Sequence, residues 1–127
     1  MLNMDATNTS RVLVVEDEML VREMIADVLA DHGFQVSAFS NATEALHHLT
    51  KGAPCDVLFT DINLPNGVDG TELARLARVL RPGLPVVYAS GAYNRMQDIE
   101  AVPNATFLCK PYDPEKVCTL LGEKAKH

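Results

Sequence analysis

Five side chains in this sequence could do chemistry together: Glu16, Asp17, Asp61, Ser90 and Lys110. Each follows a short apolar run. "VLVV" leads into Glu16 and Asp17, "VLFT" into Asp61, "VVYA" into Ser90 and "TFLC" into Lys110. Three carboxylates brought to one point repel, which raises at least one of their pKa values unless a cation intervenes. Their oxygens suit a hard divalent ion, and Mg²⁺ typically takes one or two carboxylates with waters and a phosphate oxygen. A carboxylate can also attack phosphorus and become an acyl phosphate. A metal ion, an ammonium and a hydroxyl would then neutralise and orient the phosphoryl oxygens, which is most of what phosphoryl transfer requires. Taken singly, each residue has an ordinary reading: a solvated acidic loop, a surface lysine, a turn-capping serine. Their convergence on one rim carries the information.

Convergence requires elements that end at the same place. Apolar runs at 11–15, 35–39, 57–60, 86–89 and 106–109 read as strands. Helical patterns separate them. Val21, Met24, Ile25, Val28 and Leu29 form an expected core stripe on a first helix, which stops at Gly33. Ser40 or Asn41 is positioned to cap a second helix carrying Ala45, Leu46 and Leu49. A third helix presents Leu73, Leu76, Ala77 and Leu80, and a weaker one is expected over 94–100. The last helix is expected over 114–124, with Asp113 as its cap, Pro114 as its first residue and Val117, Leu120 and Leu121 inward. Strand–helix alternation predicts right-handed crossovers and a parallel sheet covered on both faces. Ligands of such sheets bind beyond the carboxyl ends of the strands, where strand order reverses. The five residues stand at those ends.

Composition narrows the function. The chain has 127 residues, enough for one domain with its own core, and a formal net charge of −6. That charge argues against direct nucleic-acid binding, which needs a basic footprint. No apolar run nears the ~20 residues that span a bilayer, and "MLNMDATNTS" lacks the features of a signal peptide. Residues 1–10 read as a flexible polar tail, residues 11–127 as the domain, and the expected compartment is the cytoplasm. Cys55, Cys109 and Cys118 have no C-x-x-C spacing and are expected as buried free thiols. His47 and His48 read as exposed helix residues, and Arg75, Arg78 and Arg81 as a solvated helix face.

"VLVVEDE", "DINLP", "ASG" and "CKPY" resemble the receiver domain of bacterial two-component response regulators, in the right order and over about residues 11–124. The resemblance implies an α/β, flavodoxin-like (βα)5 sandwich with a five-stranded parallel sheet in the order 2-1-3-4-5. That order is carried over from the family. It also implies roles. Asp61 is the phosphoacceptor, and Glu16 and Asp17 are the acidic pair, with Asp17 the more direct Mg²⁺ ligand (Mn²⁺ is an alternative ion). Asn63 offers its backbone carbonyl to the metal. Ser90 and Lys110 contact the phosphoryl group, and Phe107 is the aromatic switch residue. The Lys110–Pro111 peptide is expected to be cis. Two features depart from the common pattern: "DINLPNGVDG" is one residue longer, and Ala92 cannot hydrogen-bond an attacking water.

The function so implied is a phosphorelay switch, with no catalysis beyond its own phosphorylation and dephosphorylation. Its donor is a sensor histidine kinase or histidine phosphotransfer protein, and its downstream partner is unnamed. The protein itself is expected as a monomer or weak dimer that engages no membrane. Met19, apolar but opposite the core stripe, is expected to dock the donor together with Arg22. The chain reads as a stand-alone receiver; a segment of a larger regulator or hybrid kinase is the alternative. A phosphatase with an aspartyl nucleophile is disfavoured because Asn63 stands where its D-x-D signature has the general acid. A non-phosphorylated binding module is disfavoured because the set of five is complete.

Overall fold

The computed structural model describes residues 9–65, 67–91 and 100–126. In chain order its elements are β1 (Arg11–Val15), α1 (Met19–Asp31), β2 (Gln35–Phe39), α2 (Ala42–Thr50), β3 (Val57–Asp61), α3 (Gly70–Leu80), β4 (Val86–Ser90), β5 (Thr106–Cys109) and α4 (Pro114–Ala125). The strands form one parallel sheet in the order β2-β1-β3-β4-β5. The expected helix over 94–100 and Ala92 fall largely outside the described residues, as do residues 1–8 of the tail; Glu100 lies in no regular element.

The central strands are buried on both faces, so alternation along them selects a layer rather than inside from outside. Leu13 and Val15 of β1 join α2 and α3 in one core, through Ala45, Leu49, Leu73 and Ala77. Val12 and Val14 join α1 and α4 in the other, through Ile25, Leu29, Val117 and Leu121. Each fully buried Val or Leu contributes about 1.5–3 kcal/mol, so the two cores fix the sheet between its helices.

Helix starts follow their caps. Asn41 accepts from Glu44 N, Asp69 from Glu72 N and Asp113 from Glu115 N. Gly33 follows α1 at φ +92°, where a side chain would be strained.

Four expectations about packing need correction. Met24 is 38% exposed, whereas Ile25 and Leu29 are buried. The reason is that β1, β2 and α4 all cover α1 from one side, and a helix covered on one side buries a narrow arc. Leu80 is 40% exposed because it ends α3 beyond the covered turns. Cys109 is exposed because it is the last residue of an edge strand; Cys55 is half-buried and Cys118 buried. Finally, two of the three arginines on α3 are staples rather than a solvated face. Arg81 donates to the carbonyls of Leu49 (3.0 Å) and Ala53 (2.6 Å) at the end of α2. Arg78 donates to those of Leu84 (2.8 Å) and Pro103 (2.6 Å). Both tie α3 to carbonyls of other segments, at the end of α2 and in the loops that follow α3 and precede β5.

Candidate functional site

The parallel sheet grows from β1 first to β2 on one side and then to β3 on the other, and the crevice at this change of order lies beyond the ends of β1 and β3. Glu16 and Asp17 leave β1 there, and Asp61 is the last residue of β3. Ser90 ends β4 and pairs in register with Cys109, so Lys110 emerges beside it, its N–H donating to the Ser90 carbonyl at 2.9 Å. The Lys110–Pro111 peptide is cis, as expected.

The sequence-predicted residues do meet. The Lys110 ammonium donates to Glu16 Oε1 at 2.7 Å and to Asp61 Oδ2 at 3.0 Å. Oxygens of Glu16, Asp17 and Asp61 lie within 4.8 Å of one another. Glu16, Asp61 and Ser90 are buried, while Asp17 is exposed at the mouth. The cluster therefore opens to solvent on one side only.

Its electrostatics follow from that placement. The Asp61 carboxyl is pushed up to about 6: burial raises it most, the hydrogen bond from Lys110 lowers it, and the charges of Glu16 and Asp17 raise it. Burial works against the charge of Lys110, but its bonds to Glu16 and Asp61 win and raise its pKa. The phenol of Tyr112 is pushed up to about 12, first by burial and then by the charge of Glu16. Its ring packs on Phe59 at 5.6 Å between centroids. Three carboxylates facing one ammonium suit an added divalent cation with oxygen ligands. The two oxygens of Glu16 are already engaged, one by Lys110 and the other by Glu18 N at 3.0 Å. Asp17 and Asp61 have more to offer a metal.

The remaining predicted residues lie around this centre. Asn63 is exposed just past β3, and Met19 is 57% exposed beside Leu20 at 76%. Phe107 stacks on Tyr88 at 5.3 Å, and the Tyr88 hydroxyl accepts from Val102 N at 3.2 Å. Arg22, expected in the docking patch, turns its guanidinium onto the acidic loop, donating to Glu16 O at 2.8 Å and to Asp17 O at 3.4 Å.

Sequence reasoning missed Gly70. A Cβ there would stand 2.0 Å from the Asp61 carbonyl oxygen and 2.9 Å from the Ile62 Cα. Gly70 N also donates to Ile62 O at 2.7 Å, and the Thr60 hydroxyl covers the same Asp61 carbonyl at 2.9 Å. The available signal was a glycine directly after an aspartate cap, a first-turn position where glycine has no capping advantage.

The sequence matches the family described as "Response regulator receiver domain" over residues 12–121. The chain belongs to that family. This receiver domain is 34% identical to the response regulator receiver protein CpdR of Brucella abortus, over 80% of this chain and 85% of that protein. It is 33% identical to the response regulator protein FleR of Pseudomonas aeruginosa, over 91% of this chain but 24% of FleR. The chain thus spans about a quarter of FleR. A crystal structure of a response regulator receiver protein from Sinorhizobium medicae superimposes with a TM-score of 0.83 at 31% identity, covering 92% of this chain and 94% of that one. The flavodoxin-like receiver fold and the strand order expected from the sequence are those observed.

Proposed function

We propose that this receiver is a phosphorelay switch in which Asp61 accepts a phosphoryl group from a phosphohistidine of a sensor kinase or phosphotransfer protein. The observation that carries the reading is the Lys110 ammonium shared between Glu16 and Asp61 at the buried end of the acidic cluster. The P–N bond of the donor breaks as a P–O bond to a carboxylate oxygen of Asp61 forms. Lys110 and the Ser90 hydroxyl stand on two neighbouring strand ends, suited to receive the phosphoryl oxygens. Asp17, Asp61 and the backbone carbonyl of Asn63 would hold Mg²⁺ or Mn²⁺, which supplies charge neutralisation of the phosphoryl oxygens. Glu16 fixes Lys110 and adds negative charge. The chain acts on no other substrate; it promotes its own phosphorylation and dephosphorylation, and a separate partner reads the result. Among the described residues no helix is long and apolar enough to cross a membrane.

The direct test is intact-mass measurement after incubation with acetyl phosphate. One phosphoryl group should be added with Mg²⁺ and none with excess chelator; equal labelling in both would defeat the reading.

Donor docking is the second part of the proposal. Met19 and Leu20 present exposed apolar surface at the start of α1, one residue after the acidic pair. Met19→Glu should slow phosphotransfer from a phosphohistidine donor about tenfold, equivalent to roughly 1.4 kcal/mol, and leave labelling by acetyl phosphate intact. Unchanged transfer from the protein donor would remove Met19 from the docking surface.

The relay would run from Ser90 to Phe107, whose ring lies against Tyr88 two residues before Ser90. A phosphoryl group can bias that arrangement only through contacts that differ between the two states. Ser90 and Lys110 are the groups positioned to supply them.

A further inference from the structure

We propose that Arg22 is a positioning residue that sets the acidic loop, and through it the affinity for the divalent cation. The proposal rests on the metal-dependent reading of the site and adds the group that holds its most exposed ligand in place.

Residues 16–18 form a tight link between β1 and α1. Asp17 carries an exposed carboxylate on this link, and an exposed side chain on a short loop is held only by its backbone. Four groups hold the stretch around it. Glu16 N donates to Phe39 O at 3.0 Å, Glu18 N donates to Glu16 Oε2 at 3.0 Å, and Lys110 holds Glu16 Oε1 at 2.7 Å. The fourth is the guanidinium of Arg22, on the carbonyls of Glu16 and Asp17. Of the four, Arg22 alone reaches the Asp17 residue itself. It is well placed to do so: Arg22 N donates to Glu18 O at 2.9 Å, so the residue belongs to the first turn of α1 and cannot drift. Glu18, the cap of that helix, makes no side-chain cap hydrogen bond. The link into α1 is held instead by this arginine, through the carbonyls that precede the helix, whereas α2, α3 and α4 begin on the accepting side chains of Asn41, Asp69 and Asp113.

The sign of the effect separates positioning from charge. A cation near the cluster repels an incoming divalent ion, so an arginine acting by charge alone would weaken metal binding and its removal would tighten it. An arginine that holds the ligand-bearing backbone does the reverse. Groups that orient metal ligands without touching the metal commonly change affinity about 10–100-fold when lost. Arg22 donates to carbonyl oxygens rather than to the carboxylates, which is the geometry of the second case.

The experiment is Mg²⁺ titration of the full chain, followed by amide NMR shifts, for wild type, Arg22→Ala and Arg22→Lys. Thermal melts run in parallel identify any variant that fails to fold. Arg22→Ala should weaken Mg²⁺ binding about tenfold or more. Arg22→Lys keeps one donor within reach and should recover part of the loss. Labelling by acetyl phosphate should fall in Arg22→Ala at low Mg²⁺ and return at saturating Mg²⁺. If Arg22→Ala fails to fold, the comparison of Arg22→Lys with wild type decides, with a several-fold weakening expected. Wild-type or tighter Mg²⁺ affinity in the folded variants overturns the proposal. A wild-type protein that binds no Mg²⁺ would instead overturn the metal-dependent reading of the site.

Discussion

Asp61→Asn is expected to abolish phosphoryl acceptance and, in the absence of metal, to stabilise the protein. The first effect follows from loss of the nucleophilic carboxylate oxygen. The second follows from the crowding of Asp61 with Glu16 and Asp17 around one ammonium. The Asp61 carboxyl ionises at about 6 in the folded chain, against an ordinary value of 3.8. Because the folded value is the higher one, the folded state holds this proton more tightly than the unfolded state does. The contribution is fully present below pH 3.8, is lost as pH rises through about 6, and stays lost above it. At neutral pH the ionised Asp61 therefore costs stability, about 1–2 kcal/mol after allowing for screening at the open rim. The asparagine variant should melt roughly 3–8 °C higher than wild type at pH 7.5 without Mg²⁺, and the gap should close near pH 4. Lys110 does not change this window, since its raised pKa matters only in the alkaline range. Saturating Mg²⁺ should narrow the gap from the other side, by stabilising only the chain that binds it. Identical melting temperatures at pH 7.5 without metal would contradict the account of strain at Asp61, and phosphorylation of the variant would contradict the acceptor assignment.

Gly70→Ala should be among the most damaging small substitutions in the chain. Ordinarily a glycine-to-alanine change within a helix gains up to about 1 kcal/mol. Here the new methyl would sit 2.0 Å from the Asp61 carbonyl oxygen, and the atoms it meets belong to the backbone of Asp61 and Ile62. A backbone cannot turn aside as a flexible side chain can. Either α3 withdraws from the sheet, breaking the 2.7 Å bond from Gly70 N to Ile62 O, or the end of β3 shifts and carries the acceptor carboxylate with it. Overpacking of this kind costs about 3 kcal/mol or more, and a misplacement near 1 Å can cost about a hundredfold in rate. Gly122→Ala is the internal control. It lies within α4, and its Cβ would meet the Phe34 ring at an ordinary 3.6 Å, so the same change there should raise stability. Urea unfolding of both variants gives the comparison; a Gly70→Ala protein as stable as wild type would refute the steric argument.

The strand ends were legible because period and chemistry coincide there: an apolar run that finishes on a carboxylate marks both a buried strand and its exit. That is why Glu16, Asp17, Asp61, Ser90 and Lys110 stand out in the sequence itself. Backbone approach was not legible. The closeness of Gly70 to Asp61 depends on where α3 lands, and a glycine carries no side chain whose pattern could report it. The arginines failed for a related reason. Arg78 and Arg81 look like solvated charges in a helical pattern, yet their partners are carbonyls of Leu84, Pro103, Leu49 and Ala53, and carbonyls leave no trace in residue type. The bonds of Arg22 to the carbonyls of Glu16 and Asp17 were hidden in the same way. Met24 shows the limit of periodicity itself, which gives the direction of a helix's apolar face but not the width of the arc its neighbours cover.

The bond from Gly70 to Ile62 has a consequence for how this surface can vary. It ties together the two ends of the segment that follows the acceptor, so the segment leaves and returns at one knot. Adding a residue between the ends of such a knot raises the closure cost only logarithmically. The sequence "DINLPNGVDG", one residue longer than the common pattern, closes on this bond. Inserts and exchanges between Ile62 and Gly70 can thus reshape the relief a partner meets beside the acidic cluster while this bond holds the loop's two ends together.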